Sequence, residues 1–160
     1  MKTRAIITIA ILISATLLAI NLSPVVKTGE FSEGDYIRLE RVEMAFNGTG
    51  ADVSVHYQLS PFAQTYMFLF GSKHLEPKID KIFFDFEDPK ILEIGRKEAM
   101  VRITNVSRPQ DEYFLHESHK LGMQPDMLVL IDPKGKHTNI ANAAFTPDTF
   151  YRKADSIYSE

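Results

Sequence analysis

The chain has 160 residues, 18 basic against 21 acidic side chains, and neither cysteine nor tryptophan. A net charge of −3 without a basic cluster excludes a nucleic-acid binder, because counterion release rewards clustered Lys and Arg. The missing cysteines exclude a disulfide scaffold, a lipobox anchor and any thiol nucleophile.

Lys2 and Arg4 precede Ala5 to Val26, 22 residues without a charge. An apolar run of about 20 residues spans the hydrocarbon core as a helix, which satisfies its own backbone N–H and C=O groups. The alternative is a cleaved signal peptide, whose apolar stretch should be shorter and end in a small-x-small site. Cleavage after Ala19 leaves bulky Leu17 three positions before the cut, and cleavage after Ser23 places Pro24 just behind it. The expectation is therefore an uncleaved signal-anchor over residues 1–26. Two cations before the span predict a cytoplasmic N-terminus and an external C-terminal domain in the plasma membrane. Signal cleavage would instead release that domain as a secreted protein. Residues 27–35 form a polar linker with Gly29 and Gly34.

Beyond the span, 16 basic and 21 acidic side chains give a net of −5. About 130 residues suffice for one domain with a real core. A cysteine-free external domain suits a prokaryotic envelope better than a eukaryotic secreted one. Two sequons, Asn47-Gly48-Thr49 and Asn105-Val106-Ser107, arise at a frequency that chance explains. Were they used, an archaeal envelope would reconcile glycans with the absent cysteines.

Residues 36–150 read as mainly strand. Ile37 and Leu39 share one parity, and Val42, Met44 and Phe46 share the other, so a bulge or sheet crossing falls near Glu40-Arg41. Asn47-Gly48-Thr49-Gly50 is turn chemistry. Val53, Val55, Tyr57 and Leu59 then alternate with polar residues, which completes a hairpin. Ser60-Pro61 is a helix start and Gly71 a helix stop around an apolar run from Phe62 to Phe70. The same run would also suit a buried strand. Leu75, Ile79 and Ile82 lie at helical spacing, and Pro77 requires that helix to begin near Glu76.

Further strands are expected at Ile82 to Phe86, Ile91 to Ile94, Ala99 to Val106, Glu112 to His116 and Met127 to Ile131. A last one falls within His137 to Phe145, after the type I turn Asp132-Pro133-Lys134-Gly135. The tail, residues 151–160, is expected to fray or to form a short helix. Seven or eight short strands with a helical insertion over about 61–82 predict an immunoglobulin-like β-sandwich, with α+β as the alternative.

The most suggestive chemistry is His116-Glu117-Ser118-His119. His116, Glu117 and His119 are metal-ligand types, but they lack the i, i+4 histidine spacing of the zinc-protease motif. The plain alternative is an exposed loop at a strand end. Asp80, Asp85, Glu87 and Asp88 offer oxygens for Ca²⁺ without the EF-hand glycine, and read more simply as a polar strand and turn. Nothing calls for an organic cofactor. Phe62, Tyr66, Phe68 and Phe70 are either core or an interaction patch for a partner or for lipid, and their burial decides between these.

In architecture alone, with no motif to carry it, an anchor plus a cysteine-free sandwich resembles many small archaeal and bacterial envelope proteins, including accessory subunits of surface filaments. The expected function is noncatalytic: a membrane-anchored module that binds an envelope protein or a second copy of itself. The alternatives are a metal-binding protein or metal-dependent enzyme built on His116, Glu117 and His119, and a sandwich holding a small apolar ligand near residues 62–70.

Overall fold

The computed structural model describes residues 36–153. The expected anchor over 1–26, the linker over 27–35 and most of the expected tail lie outside them. Among the described residues no helix is long and apolar enough to cross a membrane.

The chain is mainly β, with a six-stranded sheet and a second sheet of three strands. A sandwich fits this arrangement. The first strand, β1 (Ile37–Asn47), carries the expected irregularity. Leu39 pairs with Tyr57 and Arg41 with His56, so Glu40 is the extra, unpaired residue. One extra residue reverses the side-chain parity. Ile37 and Leu39 before it, and Val42, Met44 and Phe46 after it, are consequently all buried.

Strand β2 (Gly50–Leu59) returns antiparallel through Gly48-Thr49. Gly48 adopts φ 62°, the left-handed conformation that a two-residue hairpin loop requires. Ala51, Val53, Val55, Tyr57 and Leu59 are buried. Tyr57 donates its hydroxyl to the Gly95 carbonyl at 2.7 Å. Burial, and then the charge of Glu98, push that phenol up to about 12.

Helix α1 (Pro61–Phe70) starts as its sequence signals. The Ser60 hydroxyl accepts from the Ala63 N–H, Pro61 occupies the first turn, and the Gly71 N–H closes on the Met67 carbonyl. After a 3-10 turn over Lys73–Leu75, helix α2 (Glu76–Ile82) holds Pro77 in its first turn. Leu75, Ile79 and Ile82 turn into the core.

The expected strand at Ile82 to Phe86 is not formed. Ile82 ends α2, and the Phe83 N–H and Phe86 N–H close successive turns on the Asp80 and Phe83 carbonyls. Phe83 and Phe86 meet edge-to-face at 5.7 Å inside the core, while Phe84 faces outward. The run FFDF has enough apolar character for a strand, yet local turn bonds already satisfy its backbone. Strand β3 begins later but before Ile91, at Pro89–Ile94. It pairs with β4 alone, and an edge strand tolerates a leading proline.

Strand β4 (Glu98–Ile103) stops short of the expected Val106, and Asn105 beyond it adopts φ 55°. Strands β5 (Arg108–Gln110), β6 (Tyr113–His116) and β9 (Thr149–Arg152) form the second sheet, in the order β5-β6-β9. Sequence reading missed β5, and it placed Tyr151 and Arg152 in the tail. Buried Tyr151 anchors β9 instead. Strands β7 (Met127–Ile131) and β8 (His137–Ala141) lie where expected. The turn between them is held by Asp132, whose carboxylate accepts from the Lys134 and Lys136 N–H groups.

The large sheet runs β3-β4-β2-β1-β7-β8, with β1 and β7 parallel and the remaining pairs antiparallel. Its outer face is mainly polar apart from Met127, Val129 and Ile131 of β7, with Asp52 and Arg102 paired across β2 and β4 at 2.7 Å. Its inner face is covered near Leu59 by the helices, and near Phe46 by the small sheet. Phe46 packs on Tyr151 and His116 at ring separations of 5.1 and 5.0 Å.

Gly122 marks the tightest join in this second layer. Its N–H bonds to the Ile82 carbonyl at 2.9 Å, and a Cβ there would sit 1.9 Å from the Lys81 carbonyl oxygen. Neither backbone can give way without breaking that bond. Gly122→Ala is expected to lower unfolding free energy by about 3 kcal/mol or more. Gly48→Ala, whose Cβ meets nothing within 4 Å, pays only the positive φ, roughly 1–2 kcal/mol. Urea titrations of both variants check the order, which would reverse if the join were loose.

Candidate functional site

His116 ends β6 and is one of the few polar side chains buried among the described residues, at 2% exposure. Its Nδ1 lies 2.8 Å from the Val106 carbonyl oxygen. A carbonyl only accepts, so Nδ1 carries the proton and Nε2 of the neutral ring is the acceptor. Nε2 is 3.0 Å from the Thr146 hydroxyl, which therefore donates to it. The Thr146 oxygen in turn accepts from the His119 N–H at 2.9 Å. Every polar atom in this chain of bonds has a partner.

His119 is committed elsewhere. Its Nδ1 donates to the Asp85 carbonyl at 2.9 Å, and its ring stacks on Phe86 at 4.5 Å. The Asp85 carboxylate accepts from the Lys120 N–H. Glu117 points out of the fold and pairs with Arg108 across the surface. The two imidazoles approach to 5.5 Å, but Glu117 does not join them. Among the described residues no three His, Asp or Glu side chains are grouped to hold a metal ion. The members of the acidic stretch likewise disperse, with Asp85 on Lys120 and Asp88 on Lys90.

The histidine network is thus a structural tie between β6, the loop before β5, the segment around Thr146 and the turn after α2. Sequence reading missed Thr146 and Tyr151. The Tyr151 hydroxyl donates to the Gly48 carbonyl at 2.7 Å and lies 3.0 Å from the Ser107 hydroxyl. No local pattern announces either residue. Both sequon asparagines are exposed. Thr49 is exposed too, whereas Ser107 is buried at 5% exposure, so the two sequons differ in access to their hydroxyls. Three shallow clefts border Phe150, the most voluminous of these at about 500 Å³ between Arg108, Glu117 and Asp148. Two border the small sheet and the third lies between it and the β7-β8 edge of the large sheet, and none of the three is lined by α1.

The strongest surface feature is α1 itself. The run from Phe62 to Phe70 is a helix, but it is not core. Only Ala63 is fully buried, with Met67 half-buried one turn on. Phe62, Phe68, Leu69 and Phe70 are 77%, 76%, 64% and 68% exposed, and Tyr66 is 40% exposed. At about 100° per residue, Phe62, Tyr66, Leu69 and Phe70 fall on one side. Tyr66 links them, with its ring 6.4 Å from Phe62 and 4.7 Å from Phe70. Phe68 lies well round the helix from this stripe. The expected patch therefore gains Leu69, and Phe68 stands apart from it. The helix carries no charged residue.

No known family's sequence profile matches the chain, and no curated protein matches it. The site must be judged on its geometry.

Burial is the main cause that holds the His116 imidazole below its ordinary value of 6.5, and the nearby His119 adds to it. The Val106 carbonyl, Asp148 and Glu117 act the other way. A depressed folded value means that the unfolded chain takes the proton first as pH falls. The contribution to stability is complete above about 6.5 and is lost from there down to the folded value. Wild type should therefore weaken between pH 7 and 5. His116→Gln should be weaker at pH 7 by about 1–3 kcal/mol and should lose that part of the acid dependence. Urea unfolding at several pH values measures both, and an unchanged acid slope in the variant would refute the assignment.

Proposed function

We propose that the chain is a membrane-anchored, extracytoplasmic interaction module of a prokaryotic cell envelope, and that it works through contact made by α1. The observation that carries this reading is the exposed stripe of Phe62, Tyr66, Leu69 and Phe70 on an uncharged helix. Isolated exposed apolar side chains are ordinary, but a contiguous group on one face marks a surface that is covered in use. The uncharged run over residues 5–26 supports the anchor, the cations before it support the orientation, and the absence of cysteine supports a prokaryotic envelope.

For the fold we propose an immunoglobulin-like sandwich in the broad sense. Two sheets around one core support it. The parallel pairing of β1 with β7 departs from the all-antiparallel sheets of that fold. The helices also take part of the layer that a second full sheet would fill.

The functional reading is tested by placing a photoreactive phenylalanine analogue at Phe62 in the full chain and irradiating native membranes. A discrete protein or lipid adduct is expected at Phe62. The same analogue at Phe150, equally open but on the small sheet, should give markedly less. Equal or absent adducts at the two positions would defeat α1 as the working surface.

A further inference from the structure

We propose that the stripe of α1 rests in the interfacial layer of the bilayer that residues 5–26 enter, so that its partner is lipid. This rests on the anchored reading given above and names what the surface touches.

Three observations point to lipid. The first is position along the chain. The Tyr36 carbonyl accepts the Ser60 N–H at 2.9 Å, so α1 begins beside the first described residue. Nine residues, Lys27 to Asp35, separate Val26 from Tyr36. Fully extended they reach about 30 Å, which sets an upper bound on how far the start of α1 can be from the end of the proposed span.

The second is the state of the polar groups on α1. Gln64 Nε2 donates to the Leu59 carbonyl at 2.8 Å, and the Thr65 hydroxyl donates to the Pro61 carbonyl at 3.0 Å. The Ser60 hydroxyl accepts from Ala63. Their main hydrogen bonds are made within the protein, so moving this helix out of water strips little from them. Phenylalanine, leucine and a tyrosine with its hydroxyl suit the boundary between headgroups and acyl chains. Exposed Lys73, in the turn that follows, can meet headgroup phosphates.

The third is area. A ten-residue helix is about 15 Å long, and one side of it offers a few hundred Å² at most. A stable dimer needs about 800 Å² from each copy, so the stripe is too small to hold a second chain by itself. Lipid contact requires no minimum area when a tether already supplies proximity.

The chain has no tryptophan, so a single introduced one is a clean reporter. Full-length Phe62→Trp, Leu69→Trp and Phe150→Trp are reconstituted into phosphatidylcholine vesicles, with and without bromine at the shallow acyl carbons. Circular dichroism confirms folding, and the two α1 positions serve as duplicates. Flotation with the vesicles reports the anchor separately. Emission at 62 and 69 is expected to shift to the blue and to fall at least twofold on brominated vesicles, with position 150 unaffected. Floating protein with red, unquenched emission at 62 and 69 would overturn the lipid contact and leave the anchor standing. Blue but unquenched emission would mean that protein covers the stripe, and equal quenching at 150 would mean that no particular face is used; either overturns it. Failure to float would defeat the anchored reading and this proposal with it.

Discussion

The fold depends on one unpaired residue, Glu40. An eleven-residue strand in strict alternation would bury either Ile37 and Leu39 or Val42, Met44 and Phe46, but not both sets. The extra residue lets both point the same way, so β1 contributes five buried side chains to a single face. It also marks where neighbours change. The Asp126 N–H bonds to the Leu39 carbonyl, and β7 pairs with β1 from Arg41 onward. A large sheet with one apolar face and one mainly polar face follows, and such a sheet requires a second layer on one side only.

That second layer is made of unlike parts, and each end is closed by different physics. Near Leu59 the closure is apolar: Leu75, Ile79, Ile82 and Phe83 are fully buried against the sheet. Near Phe46 it is polar and directional. His116, Thr146, Ser107 and Tyr151 are buried there, each with a hydrogen-bond partner. A buried polar group without its partner costs about 1–3 kcal/mol, so this end tolerates few arrangements. It orders short strands that could not fold alone. The histidine pair resembles a ligand set only while its partners are out of view. With Val106, Thr146 and Asp85 in place, three of the four ring nitrogens are accounted for.

The sequence was most legible where bonding is local. The hairpin around Gly48, the cap at Ser60, the Pro77 helix start and the Asp132 turn each depend on residues within a few positions, and each stands as read. It was least legible where partners are distant. Arg108 to Gln110 contains a proline and no apolar alternation, and it becomes a strand because β6 supplies its edge. Tyr151 lies 103 positions from the Gly48 carbonyl that accepts its hydroxyl, so nothing near it predicts burial. Phe83 to Phe86 failed for the opposite reason: its apolar content is strand-like, but local turn bonds hold its backbone.

The same distinction governs α1. Its caps are local and specify a helix whatever surrounds it, but nothing local says which side is covered. Ala63 and Met67 seat it on the core, aided by the Gln64 bond to the Leu59 carbonyl and the Tyr66 ring against His74. Burying one large apolar side chain is worth roughly 1.5–3 kcal/mol, and this helix forgoes most of that for four of them, Phe62, Phe68, Leu69 and Phe70. Core demand does not explain the choice, since the sheet's inner face is already covered by α2 and the Phe83 turn. A helix selected for stability alone would carry Lys or Glu at positions 62 and 69, which are largely open to solvent. Aromatic and aliphatic residues there present apolar surface that folding does not use. Because α1 starts beside Tyr36, where the chain enters the domain, the exposed stripe lies next to that point of entry.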